Sequence, residues 1–139
     1  MQVDEMEGRE LDVLVAEKVM GDCGHILADF RPIGFSHYGP NMSCVKCRKS
    51  VTRGEIQDTP HYSTDIAAIL PVAEKVVGTG HIKIKLMPPD EWNELYLAQV
   101  ALWLGYIDPV RTAAEAATGG QAIALALARA VVKAKETTP

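Results

Sequence analysis

All three cysteines of this chain lie in one stretch, together with a histidine, as two close pairs. The first is Cys23-Gly24-His25; eighteen residues later comes Cys44-Val45-Lys46-Cys47. Thiolate and imidazole are the ligands that Zn2+ takes in tetrahedral structural sites, Cys3His among them. A pair separated by one or two residues sits on one tight turn, so a single ion would join two turns. The spacing therefore points to a zinc knuckle with Cys23, His25, Cys44 and Cys47 as ligands. His37 and His61 are alternatives to His25 as the fourth. Four protein ligands leave no position for water or substrate, so the expected role is structural. Buried, unligated cysteines behave as small hydrophobes, but that reading leaves two close pairs unexplained.

Cations follow the second pair: Lys46, Arg48, Lys49 and Arg53. Turns at a metal plus cations can grip phosphate, although a merely solvated basic surface is the more common outcome. Lys83 and Lys85 alternate with apolar residues and either extend that patch or keep a strand face soluble. Tyr62 precedes an expected helix N-terminus, a place where anions bind. Trp92 stands in a polar turn and is a candidate contact residue. No Gly-x-Ser-x-Gly, phosphate-binding P-loop or His-Glu-x-x-His occurs, so no enzyme is expected.

These residues need a scaffold, and 139 residues with 47% hydrophobic content suffice for one domain. Aromatics are only 6%, so the core must be built from Ala, Val, Ile and Leu. The net charge of −4 argues against nucleic-acid binding through the overall field. No apolar run approaches the roughly 20 residues of a membrane span. The acidic, polar start is unlike a secretory signal peptide, and reduced thiols favour metal over disulfide, so a cytoplasmic location is expected.

Leu11, Leu14, Val15 and Val19 fall at helical spacing over residues 9–20, with Gly21 to end the helix and Asp12, Glu17 and Lys18 turned to water. Residues 22–60 are rich in Gly, Pro, Ser and Asn and show no sustained period. So long an irregular insert needs a staple, and the metal supplies one; a short strand over 51–56 is expected to leave it. Ser63 or Thr64 can cap a second helix, with Asp65 in its first turn, a kink or restart at Pro71, and Gly78 and Gly80 at its end. Ile82, Ile84 and Leu86 then alternate with Lys83 and Lys85, as in a half-buried strand. A second strand spans 95–103, and a third is the preferred reading of the Ala-rich 110–117 segment. Thr118 to Gln121 has capping-box spacing before a last helix with an apolar stripe from Ile123 to Ala134; Arg129, Lys133 and Lys135 suit its C-terminal dipole. The expectation is α+β: a small sandwich, an antiparallel sheet of two or three strands packed by helices, one domain over 1–139 with a zinc-binding insert at 22–60.

Glu10-Leu-Asp-Val-Leu-Val-Ala-Glu-Lys-Val-Met-Gly21 resembles the opening helix of the bacteriophage ABA sandwich domain family. Tyr62-Ser-Thr-Asp-Ile-Ala-Ala68, with Val72-Ala-Glu-Lys75, resembles its second helix, and the stretch from Gln121 to Ala130 its closing helix. Some members carry a C-x-H and C-x2-C insert between the first two helices. Pro71 departs from the family, and residues 81–110 match in pattern only. The resemblance implies a phage or prophage origin, an α/β sandwich, and action in the cytoplasm of a bacterial host. Small phage accessory proteins often bind host factors or blunt host defences. The implied function is thus non-enzymatic binding of a host protein, or of a small signalling nucleotide held away from a defence effector. The alternative is a zinc-dependent nucleic-acid-binding regulator. Self-association through the helix stripes or the 110–117 segment is a further possibility.

Overall fold

A computed structural model describes residues 3, 6–21, 23–24, 29–36, 39–52, 59–105 and 108–137. In chain order its elements are α1 (Gly8–Leu14), which runs on into a π-helical turn (Val15–Val19), β1 (Phe30–Ser36), β2 (Gly39–Cys44), β3 (Ser50–Thr52), α2 (Ile66–Val77), β4 (His81–Met87), β5 (Tyr96–Trp103), β6 (Val110–Ala116) and α3 (Gly119–Thr137). The class is α+β, with two antiparallel three-stranded sheets in the orders β1-β2-β3 and β4-β5-β6.

The main core forms between the second sheet and α3. Residues paired across strands share a face. One face thus carries the rows Ile82–Leu102–Val110, Ile84–Val100–Thr112 and Leu86–Ala98–Ala114. α3 lies against β5 and β6, with α2 and the π-helical turn beside it. The sequence suggested a stripe on α3. Instead the helix is buried on all sides, with Ala122, Ala124, Ala126, Leu127, Ala128, Ala130, Val131 and Val132 each fully shielded. Alanine makes this possible, because it lets neighbouring elements approach the helix from every side. Thr118 caps α3 as expected, its Oγ1 accepting from the Gln121 amide at 3.2 Å.

Arg129 is not at the solvent-facing dipole but 9% exposed. Its Nε donates to the Met6 carbonyl at 2.8 Å and an Nη to the Ala113 carbonyl at 3.0 Å. Ile84 and Leu86, expected in the core, are 39% and 40% exposed, because β4 is an edge strand and α3 centres on β5 and β6.

α2 is one continuous helix; Pro71 neither stops nor restarts it. Proline leaves the carbonyl four residues back without its helical donor. Both Pro71 and Ala67 are exposed, so water can take that carbonyl. The N-cap is Asp65, whose carboxylate accepts from the Ala67 amide at 3.0 Å, rather than Ser63 or Thr64. Gly78 ends the helix at φ 57°. Gly80 then abuts β5, where a Cβ would collide with the Trp103 carbonyl oxygen.

Asp12 was expected in water but is 1% exposed. Its carboxylate accepts from the Ser63 amide at 2.7 Å and from Arg9 at 2.9 Å. Arg9 also donates to the Thr59 carbonyl. α1 is thereby laced to the segment that enters α2, and the paired carboxylate meets the requirement for burying a charge.

The insert carries more regular structure than its composition suggested. β1 and β2 pair in antiparallel register, with a bulge between Pro32 and Gly34. Pro32 cannot donate to a ladder, which is tolerated because β1 is an edge strand. The strand expected at 51–56 is seen as β3, Ser50–Thr52; residues 53–58 lie outside those described. Among the described side chains of this sheet, Phe30 and Cys44 are the buried apolar ones.

Candidate metal centre

Cys23 follows the first helix. Gly21 ends that helix at φ 73°, a left-handed conformation natural to glycine. Gly24 must also be glycine. A Cβ there would lie 2.7 Å from the Val13 carbonyl oxygen and 2.8 Å from Val13 Cγ1, so the segment rests directly on the helix. The middle residue of the C-x-H pair is thus set by close packing.

Cys44 ends β2 and is fully buried; Cys47 lies in the following turn and is exposed. The turn is closed by Cys44 N–H to the Lys49 carbonyl at 3.1 Å and Arg48 N–H to the Cys44 carbonyl at 2.8 Å. Arg48 takes φ 61°, the non-glycine residue with positive φ among those described. A third bond, Val45 N–H to the Asp29 carbonyl at 2.9 Å, fastens the turn to the start of β1.

The three Sγ atoms lie within 4.8 Å of one another, and those of Cys23 and Cys44 are 3.9 Å apart. Two thiolates at about 2.3 Å from a tetrahedral zinc would be about 3.8 Å apart. All three are free thiols. Cys23 is pushed up to about 12 by burial, reinforced by hydrogen bonds with Cys47 and Cys44 and by their charge. Cys47 is lowered, chiefly by a backbone hydrogen bond from Lys49. The turn thus favours one thiolate while the cluster resists a second. A bound cation relieves that repulsion, and each thiol that ligates it gives up a proton.

Of the expected ligands, Cys23, Cys44 and Cys47 are brought together. His25 lies outside the described residues, as does the alternative His37. His61 is not part of the cluster: its Nδ1 is 3.1 Å from an Arg9 Nη.

The cations of the second pair differ in their contacts. Lys46 is a clip, its Nζ donating to the Gly24 carbonyl at 3.0 Å and standing 3.7 Å from both Glu17 and Asp29 carboxylates. Arg48 and Lys49 are exposed on the turn, and Arg53 lies outside the described residues. Tyr62 is 7% exposed and packs in the main core. Trp92 is 92% exposed, in a turn where Asp90 Oδ1 accepts from the amides of Trp92 and Asn93, each at 2.8 Å. Sequence reasoning missed Arg111, which strand register sets in one row with Lys83.

Among the described residues no helix is long and apolar enough to cross a membrane. No protein-family model matches the chain, and neither a curated protein nor a solved structure does.

Proposed function

We propose that this is a non-enzymatic, phage-encoded binding protein. It acts in the cytoplasm of a bacterial host, holds a host component, and has a small signalling nucleotide as its ligand class. Its metal is structural Zn2+, with His25 completing the ligand set of Cys23, Cys44 and Cys47. The observation that carries this reading is the position of the thiols. They join the end of the first helix to the β2 turn, where Lys46 and the lacing around Asp29 already fasten the same parts. A metal there builds scaffold and leaves ligand binding to exposed side chains. The phage origin rests on the likeness of the helix motifs to the ABA sandwich family.

Native mass spectrometry of the purified protein tests the reading. One zinc per chain and a nucleotide released intact on denaturation are expected. A nucleotide that is turned over would overturn sequestration, and a fully folded protein that neither takes up zinc nor holds any nucleotide would overturn the whole.

The exposed Arg48 and Lys49 favour a second reading, a nucleic-acid-binding regulator. It predicts affinity for DNA or RNA that falls steeply with salt and weakens in Arg48→Ala and Lys49→Ala.

A further inference from the structure

The face of the second sheet turned away from α3 carries cations that the sequence scatters over three elements. Lys83, Ala101 and Arg111 form one row across β4, β5 and β6, and Lys85, Gln99 and Ala113 form the next. Lys83, Lys85 and Arg111 are exposed, and none has a carboxylate within ion-pair distance among the described residues. Lys133 reaches the same region from α3, its Nζ donating to the Arg111 carbonyl at 3.2 Å. Ala101 and Ala113 put almost nothing above the sheet, and the cations rim a hollow of about 630 Å3 with Gln99 in its floor. Glu115 is the acidic residue of this face, one row further on and opposite Leu97.

At the other end of the face, the row beside Lys83 is His81 and Trp103. Their rings stack at 4.5 Å with 12° between planes. The Arg111 guanidinium carbon stands 5.8 Å from the Trp103 ring, within cation–π range.

Strand spacing sets Lys83 and Lys85 about 7 Å apart and Lys83 and Arg111 about 10 Å apart. The first is within the Debye length of about 8 Å at physiological salt and the second only slightly beyond it. Three such cations repel one another, even in a chain of net charge −4. A ligand with two or more negative charges reverses the sign of that repulsion, and a hollow of this size falls within the range of small-molecule sites. Aromatic rings beside phosphate-gripping cations are the means by which proteins hold nucleotide bases.

Building on the binding function proposed above, we infer that this face is the ligand site. The ligand is a small nucleotide whose phosphates are held by Lys83, Lys85 and Arg111, with its base against the His81–Trp103 stack. Gln99, with an amide donor and acceptor, faces the middle of the ligand.

The test uses the full chain carrying Trp92→Phe, which leaves Trp103 as the single tryptophan reporter. Inorganic pyrophosphate, adenosine and guanosine 5′-diphosphates and the uncharged nucleosides are titrated against its fluorescence and by calorimetry. A diphosphate nucleotide should change Trp103 emission and bind more tightly than pyrophosphate, and the nucleosides should bind least. Lys83→Ala and Arg111→Ala should each weaken the nucleotide about tenfold or more, while Lys75→Ala on α2 leaves it unchanged. If nucleotide affinity is lost in Arg48→Ala or Lys49→Ala but kept in the sheet variants, this site is wrong and the ligand class stands. If no nucleotide binds the zinc-loaded, folded protein, the ligand class falls and the site with it. If a single-stranded oligonucleotide binds far more tightly than every mononucleotide, the small-ligand assignment is overturned in favour of nucleic acid.

Discussion

The two sheets of this molecule have the same number of strands and are held by different physics. The β4–β6 sheet has α3 pressed on it and closes over fully buried Leu102, Leu127, Val131 and Val132. Among its described side chains the β1–β3 sheet buries the apolar groups of Phe30 and Cys44, while Ile33 is 57% exposed. At about 25 cal/mol per Å2 of apolar surface, those two side chains alone do not offset the ordering of a three-stranded sheet. The three thiols sit beside this sheet, where a bound metal ion would add the cross-link that its apolar contacts do not.

Removing the metal should separate the two most. Structural zinc contributes on the order of 10 kcal/mol to small metal-dependent folds. Chelation, or Cys44→Ser, should abolish amide-exchange protection in β1–β3 while β5 and α3 keep theirs. Loss of protection in all elements at once would show a single cooperative unit. The metal should also be held less well as the pH falls. Binding takes thiolates, and Cys23 in the free cluster is pushed up to about 12. Protons therefore compete with the ion at every pH below that, by about tenfold per pH unit for each proton displaced. Competition with a colorimetric chelator between pH 8 and 6 would measure the slope.

A smaller effect with the opposite distribution is expected from Leu127→Ala. It opens a cavity in the main core at about 2–5 kcal/mol. The melting temperature of the helix–sheet body should drop while zinc stoichiometry stays at one. Smallest is Lys46→Ala. Its two ion pairs are long and half-exposed, each contributing about 1 kcal/mol or less. Zinc retention should weaken slightly, with the core melt unmoved.

The elements of the main core were legible because their signals are local. Period-2 alternation marked β4, the Thr118 cap marked α3, and Gly78 marked the end of α2. The thiol trio was legible for the same reason: Cys44 and Cys47 flank one turn. What escaped notice depends on partners far along the chain. Asp12 has the sequence surroundings of a surface residue, and its burial is stabilised by Ser63 and Arg9. β1 was hidden by Pro32 and Gly34, which an edge strand with a bulge accommodates. The all-round burial of α3 follows from alanines, whose small size blurs any stripe. Arg111 joined the lysines of β4 through strand register alone.

The Asp12–Ser63 bond also bears on how the chain folds and diversifies. It ties residues 51 positions apart at the root of the insert, and Arg9 to Thr59 ties the same two arms. The neck of this long excursion is thus closed by the main body itself. Chain-closure entropy grows only logarithmically with loop length, about 0.6 kcal/mol for each doubling. What hangs beyond such a neck can lengthen, shorten or be exchanged at little thermodynamic penalty. The strands beyond the neck thus have room to vary in length, while Gly24 against Val13 and Lys46 against Glu17 hold the thiol-bearing turn to the first helix.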